Sequence, residues 1–382
     1  MPTKIRPQPP VQILAIDILR FVAALFVLAC HYGTLAIHPI DQRLIGVLDQ
    51  SQLPVALASW TNFGWVGVEI FFVISGYVIA ISAKQTEAMN FLKRRFLRLA
   101  PAAWICGTFT LLLLLWATDW NRPVLLLEWL NTITLWPLGE AVDPSYWTIG
   151  IEITFYLIVA TQLRGIDNTR RLNRLALIIG LSSTCYAIGV QWGLAPSTPD
   201  RIWQLLLVKH GCLFALGMTI SVAHAYGWSR WRTACCTIFA LTSVMEIRAH
   251  QYNSPIDFAS LSSPQIFVFL TAVFVIVIAP RLQPILCRPR TRDTIIFLGK
   301  TTYPLYLIHR TAGSVMIGGL LSLGLGGPVA IILTTCAALG VAIMIARIIE
   351  PPVRAYAARS VLALKPPPPA NAEPSGGNVV LS

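Results

Sequence analysis

Apolar runs of about 17 to 25 residues recur along nearly the whole chain, each long enough to cross a hydrocarbon layer of about 30 Å as a helix. They fall near residues 16–37, 63–83, 99–118, 144–163, 175–194, 203–225, 233–249, 264–280, 294–320 and 328–349. Polar and basic stretches separate them. The pattern predicts an all-α polytopic integral membrane protein of about ten transmembrane helices, since a helix satisfies its own backbone inside a bilayer. One transmembrane domain over 16–356 is expected, with a short segment 1–15 before it. The tail 357–382 is rich in Pro and Ala and is expected to be disordered.

Composition agrees with that solvent. Of 382 residues, 55% are hydrophobic and 12% charged, against roughly a quarter charged in soluble domains. The net charge of +12 follows topology and calls for no nucleic acid: about 22 of the 29 Lys and Arg fall on one side, in alternate loops, at span ends and at the termini. Retention of positive charge in the cytoplasm then puts both termini inside. Lys4 and Arg6 before the first run imitate a secretory signal. No small-residue cleavage site follows, and Asp17 and Arg20 open the run, so a retained helix is expected. Seven of the eight cysteines lie in spans without metal-like pairing, so neither disulfides nor a metal are expected.

The informative positions are ionisable residues inside the apolar runs, which are costly there and normally pair or line a cavity. Arg20 and His31 are 11 positions apart, just over three turns, so they share a face about 16 Å apart along the axis. Asp17 sits one turn before Arg20 and suits an ion pair at the boundary. By helical rise, His31, Glu69, Glu152, His309 and Arg310 reach similar depths on four helices. A hydrated polar site is one reading of that layer, and helix-to-helix hydrogen bonding is the other. Arg95 and Arg98 lie one turn apart in "FLKRRFLRLAP" and suit either phosphate or an orientation signal.

As an ordered set, "DILRFVAALFVLACH", "GVEIFFVISGYVI", "FLKRRFLRLAP", "YWTIGIEITFYL" and "TTYPLYLIH" resemble signature segments of the membrane-bound acyltransferase-3 family, over roughly residues 11 to 356. The resemblance implies a ten-helix enzyme of a bacterial inner membrane. Such an enzyme moves an acyl group, commonly acetyl, from cytoplasmic acyl-CoA to a hydroxyl of an extracytoplasmic carbohydrate or lipid-linked oligosaccharide. By position, Arg20 and His31 match the family's first-span pair, Arg95 and Arg98 its RxxR pair, and Ser75 and Gly76 its second-span motif. Trp147 and Glu152 match its tryptophan and acid, and His309 its LYLxH histidine. Glu69 stands where Asp is common.

On that resemblance, Arg95 and Arg98 hold the phosphates of acyl-CoA while Arg20 guides its arm. His31 is the general base or acyl carrier, and Glu152 orients its imidazole. Ser75 serves the site or packs helices, and Trp147 stacks on a sugar or sits at the membrane interface. Asp17, Glu69, Tyr303 and His309 support them. The competing class is a transporter or flippase of a glycan or lipid intermediate. It accommodates buried charges, but no internal repeat or paired Gly/Pro-broken segments point to it.

Overall fold

The computed structural model describes residues 12–36, 47, 51, 53–165, 167–196, 200–253 and 264–363. Among them the only β pairing is an isolated bridge between Glu87 and Arg164; everything else regular is helical. Helix α1 (Leu14–Cys30) runs into a π-helical turn, His31–Leu35. Helix α2 (Val55–Thr61) leads through a 3₁₀ turn, Asn62–Val66, into α3 (Gly67–Ala83). Helices α4 (Ala88–Ala117) and α5 (Arg122–Ile133) follow, and a short 3₁₀ turn, Pro144–Tyr146, opens α6 (Trp147–Ala160). Then come α7 (Thr169–Gln191), α8 (Arg201–Leu205), α9 (Gly211–Tyr226), α10 (Arg230–Asn253) and α11 (Pro264–Leu286). The chain closes with α12 (Pro289–Ser322), α13 (Gly327–Met344), a π-helical turn at Ile345–Ile349 and α14 (Glu350–Ala363).

Each of the ten expected spans is largely helical, but among the described residues six helical segments are long and apolar enough to cross a membrane. They are Leu14–Leu35, Ala56–Ala83, Ala88–Ala117, Thr169–Gln191, Pro264–Leu286 and Gly327–Val361. The physical reason for the shortfall is specific. Helix α6 has 14 residues and α9 has 16, so at 1.5 Å per residue they rise only about 21 and 24 Å. Helices α10 and α12 carry charges, such as Glu246 and Lys300, within their runs. Helix α5 was not among the expected elements. Helix α14 reaches Ala363, so the first part of the tail expected to be disordered is helical. The rest of that tail and the segment 1–11 lie outside the described residues.

The core is built around α3, whose two ends matter differently. Glu69 stands at its start and Ser82 near its end, about 20 Å apart by helical rise. Its backbone meets that of α9 closely. A Cβ on Gly76 would lie 2.1 Å from the Phe214 carbonyl oxygen, and one on Gly217 would lie 1.9 Å from that of Val73. Small residues let helices approach in this way. Helix α1 lies against both α3 and α12, which brings the two histidine-bearing runs of the sequence side by side.

Gly76→Ala and Gly217→Ala are each expected to force these helices apart, at about 1–3 kcal/mol. Thermal unfolding in detergent would then fall by several degrees. Gly319→Ala is the control, since nothing lies within 4 Å of its added methyl. Equal melting of all three proteins would refute the close crossing.

Candidate active site

A cleft of about 580 Å³ opens where the start of α1, the end of α3, the basic half of α4, α12 and α14 converge. Five cations line it, Arg20, Arg95, Arg98, Lys300 and Arg354, against two acids, Asp17 and Glu350. Both acids are engaged locally. Asp17 pairs with Arg20 at 3.6 Å and accepts from Gln12 Nε2 at 2.6 Å, while Glu350 pairs with Arg354 at 3.7 Å. Arg95 is held in place by donating to Ser82 Oγ at 2.6 Å and by lying over the rings of Phe91 and Tyr156. The expected grouping of Arg20, Arg95 and Arg98 is therefore present in space, and Lys300 and Arg354 join it.

The cleft narrows into a pocket of about 70 Å³ that shares Arg20, Arg98, Gly299 and Tyr303 with it. Ser75, Glu152, Phe71, Phe72 and Tyr306 line this neck further in. Glu152 Oε1 accepts from Ser75 Oγ at 3.2 Å and from the Tyr156 hydroxyl. Ser75 thus serves the neck while its neighbour Gly76 serves the helix crossing. Tyr303 borders both spaces and donates to the Leu99 carbonyl at 3.3 Å.

His31 begins the π-helical turn after α1, half-buried. Its Nδ1 lies 2.8 Å from the Val27 carbonyl and 3.0 Å from His309 Nε2, with the rings 4.7 Å apart at 72°. His309 Nδ1 in turn lies 2.8 Å from the Tyr306 carbonyl. A carbonyl only accepts, so these partners place a hydrogen on Nδ1 of both neutral rings. The single hydrogen on His31 Nδ1 is then shared between the Val27 carbonyl and His309 Nε2, and His31 Nε2 keeps its lone pair for an incoming proton. The carboxylate expected beside His31 is replaced by a second imidazole, because Glu152 is committed to Ser75 and Tyr156.

The turn that carries His309 is held from outside its own helix. Pro304 interrupts α12 and has no N–H to give. Beyond it, Tyr146 Oη donates to the Leu307 carbonyl at 3.0 Å and Tyr32 Oη to the His309 carbonyl at 2.9 Å. The Thr311 N–H donates to Asp143 Oδ2 at 3.0 Å. Sequence reasoning missed Tyr32 and Asp143. Tyr32 follows His31 directly, but Asp143 looks like an ordinary turn residue before α6.

The remaining predicted residues lie elsewhere. Glu69 is buried near the start of α3, outside cleft and neck, and its Oε2 has no hydrogen-bond partner. Trp147 is 36% exposed and packs its ring against Phe72 and His210, 6.2 and 5.8 Å away. His210 in turn faces Glu246 at 3.9 Å, and Ser183 donates to that carboxylate at 2.9 Å. Among the described residues no cluster of three or more His, Cys, Asp or Glu is placed to hold a metal.

The sequence profile of the Acyltransferase domain family matches residues 13–347. The chain is similar to the O-acetyl transferase of Shigella phage Sf6, at 22% identity over 63% of this chain and 71% of that protein. It is 25% identical to O-acetyltransferase OatA of Staphylococcus aureus, over 66% of this chain and 46% of that protein. A Komagataeibacter xylinus protein provisionally named a membrane-bound transacylase, BcsY, is 27% identical over 39% of this chain and 45% of its own length. The chain thus spans less than half the length of two of these three relatives. No solved structure matches.

Tyr32→Phe removes one donor to the turn carrying His309 and leaves a buried carbonyl with one partner fewer. It is expected to lower stability by about 1 kcal/mol, visible as a drop of a few degrees in Tm. An unchanged Tm would mean that the hydroxyl does not hold this turn.

Proposed function

Because the chain belongs to the Acyltransferase domain family, we propose that it is a membrane-bound O-acetyltransferase. It takes acetyl from cytoplasmic acetyl-CoA and esterifies a hydroxyl of an extracytoplasmic carbohydrate or lipid-linked oligosaccharide, in a bacterial inner membrane. The observation that carries this reading is a cationic cleft continuous with a narrow neck lined by Ser75 and Glu152, with α1 and α12 contributing to both spaces and also bringing His31 and His309 together. The donor has an anionic head and a long neutral arm ending in a thioester. Arg95, Arg98, Lys300 and Arg354 suit the head, as guanidinium and ammonium groups suit phosphates. The arm then passes Arg20 and Tyr303, and His31 lies about 16 Å beyond Arg20 along α1. The names of the phage and staphylococcal relatives, both O-acetyltransferases, support acetyl as the group and oxygen as its acceptor.

The chemistry follows from the tautomers. His31 Nε2 takes the proton of the acceptor hydroxyl as its oxygen attacks the thioester carbonyl. The bond from carbonyl carbon to sulfur breaks, the ester bond forms, and the proton on His31 passes to the departing thiolate. Donation from His31 Nδ1 to His309 Nε2 strengthens as positive charge develops on the first ring. Glu152 stands beside Arg20 and Arg98 in the neck and fixes their charge where the arm passes. The direct test is incubation of the purified protein with radiolabelled acetyl-CoA and deacetylated envelope polysaccharide. Label on the glycan is expected. Glycan that crosses a vesicle unmodified would favour the flippase instead.

His31→Ala is expected to cut turnover by about 10²- to 10⁴-fold with protein abundance unchanged. Activity within about twofold of the parent protein would remove His31 from the chemistry. Arg95→Gln together with Arg98→Gln should raise KM for acetyl-CoA at least about tenfold, since hydrogen bonds to charged groups each contribute about 1.5–3 kcal/mol. Unaltered KM in that variant would place the donor elsewhere.

A further inference from the structure

Asp143 lies in the loop before α6 and is fully buried. It belongs to neither cleft nor neck. Burying a carboxylate is expensive unless hydrogen bonds satisfy it, and here three donors do so. Its Oδ1 accepts from the Ser145 N–H at 2.8 Å and the Ser145 hydroxyl at 2.5 Å, and its Oδ2 accepts from the Thr311 N–H at 3.0 Å. The first two contacts are local and would form in any short turn. The third joins residues 168 positions apart and lands two residues beyond His309. A neutral side chain would have satisfied a single backbone N–H at lower desolvation cost, so the presence of a full charge at this depth asks for a reason.

The reason is next door. When His31 takes a proton, the imidazole pair becomes cationic in apolar surroundings, with the cationic Arg310 next to His309 in the chain. The acid bonded to the turn that carries His309 is Asp143, through the Thr311 N–H. It does not touch the ring. Its hold is on the backbone of the same turn, so the charge is fixed before any proton arrives and needs no rearrangement during the reaction.

We propose that Asp143 is a positioning residue for acyl transfer: through Thr311 it fixes the turn that presents His309 to His31, and it supplies the standing negative charge that balances the protonated imidazole pair. The inference rests on the reading of His31 as the base. It predicts that charge, beyond hydrogen bonding alone, matters at residue 143.

Three variants separate the two contributions, assayed as purified full-length proteins with acetyl-CoA and deacetylated envelope polysaccharide. Asp143→Asn keeps the size, removes the charge and, since its amide nitrogen cannot accept, gives up the bond at one of the two oxygens; it is expected to lower kcat about 10- to 100-fold with KM for acetyl-CoA within twofold. Ser145→Ala removes one donor and keeps the charge, and should lower kcat less than threefold. Asp143→Glu keeps the charge but displaces it, and should keep kcat within tenfold while lowering Tm. Equal losses in Asp143→Asn and Ser145→Ala, or a kcat within twofold in Asp143→Asn, would overturn the proposal. Should Asp143→Asn not accumulate, Asp143→Glu decides: a loss beyond 100-fold despite the retained charge overturns it. His31→Ala in the same assay keeps the two readings apart. An active His31→Ala refutes the base, whereas an inactive one beside a fully active Asp143→Asn refutes only the role of Asp143.

Discussion

Polar groups inside this helical bundle must find their partners within the protein, and the arrangement of the site follows from that requirement. Pro304 removes an N–H from the middle of α12, and the backbone around His309 is then secured by side chains from three other places in the chain. Tyr32 comes from the end of α1, Tyr146 from the turn before α6, and Asp143 from the loop ahead of it. The same requirement sets the tautomers of both histidines, because each Nδ1 faces a backbone carbonyl. Backbone geometry therefore decides which nitrogen of His31 carries the hydrogen and which keeps its lone pair.

Charge is distributed along the passage in a graded way. The wide cleft concentrates cations, two of which are partly offset by Asp17 and Glu350. The neck admits one acid, Glu152, held by Ser75 and Tyr156. Phe71, Phe72 and Tyr306 line the same neck with aromatic rings.

A second polar cluster, His210 with Glu246 and Ser183, lies across Phe72 from the neck. His210 adopts a left-handed conformation at the start of α9, with φ of 68°, unusual for a residue with a Cβ. Trp147 and Phe72 pack against its ring. These contacts tie α6 and α10 to Phe72 of α3, which lines the neck.

The sequence by itself determined everything that depends on position within one helix. The recurring apolar runs required a helical membrane protein, the 11-residue spacing put Arg20 and His31 on one face, and the one-turn spacing put Arg95 beside Arg98. Helical rise and pitch are local, so such relations survive any packing. Only the tertiary structure decided which helices meet. It gave His31 an imidazole partner 278 positions away where a carboxylate was expected, committed Glu152 to Ser75 and Tyr156, and turned Asp143 from a turn residue into a support for α12. It also left α6 and α9 too short to span the layer alone, although their sequences are apolar enough. Pairing between helices depends on how side chains of similar hydrophobicity interlock, and hydrophobicity carries no address.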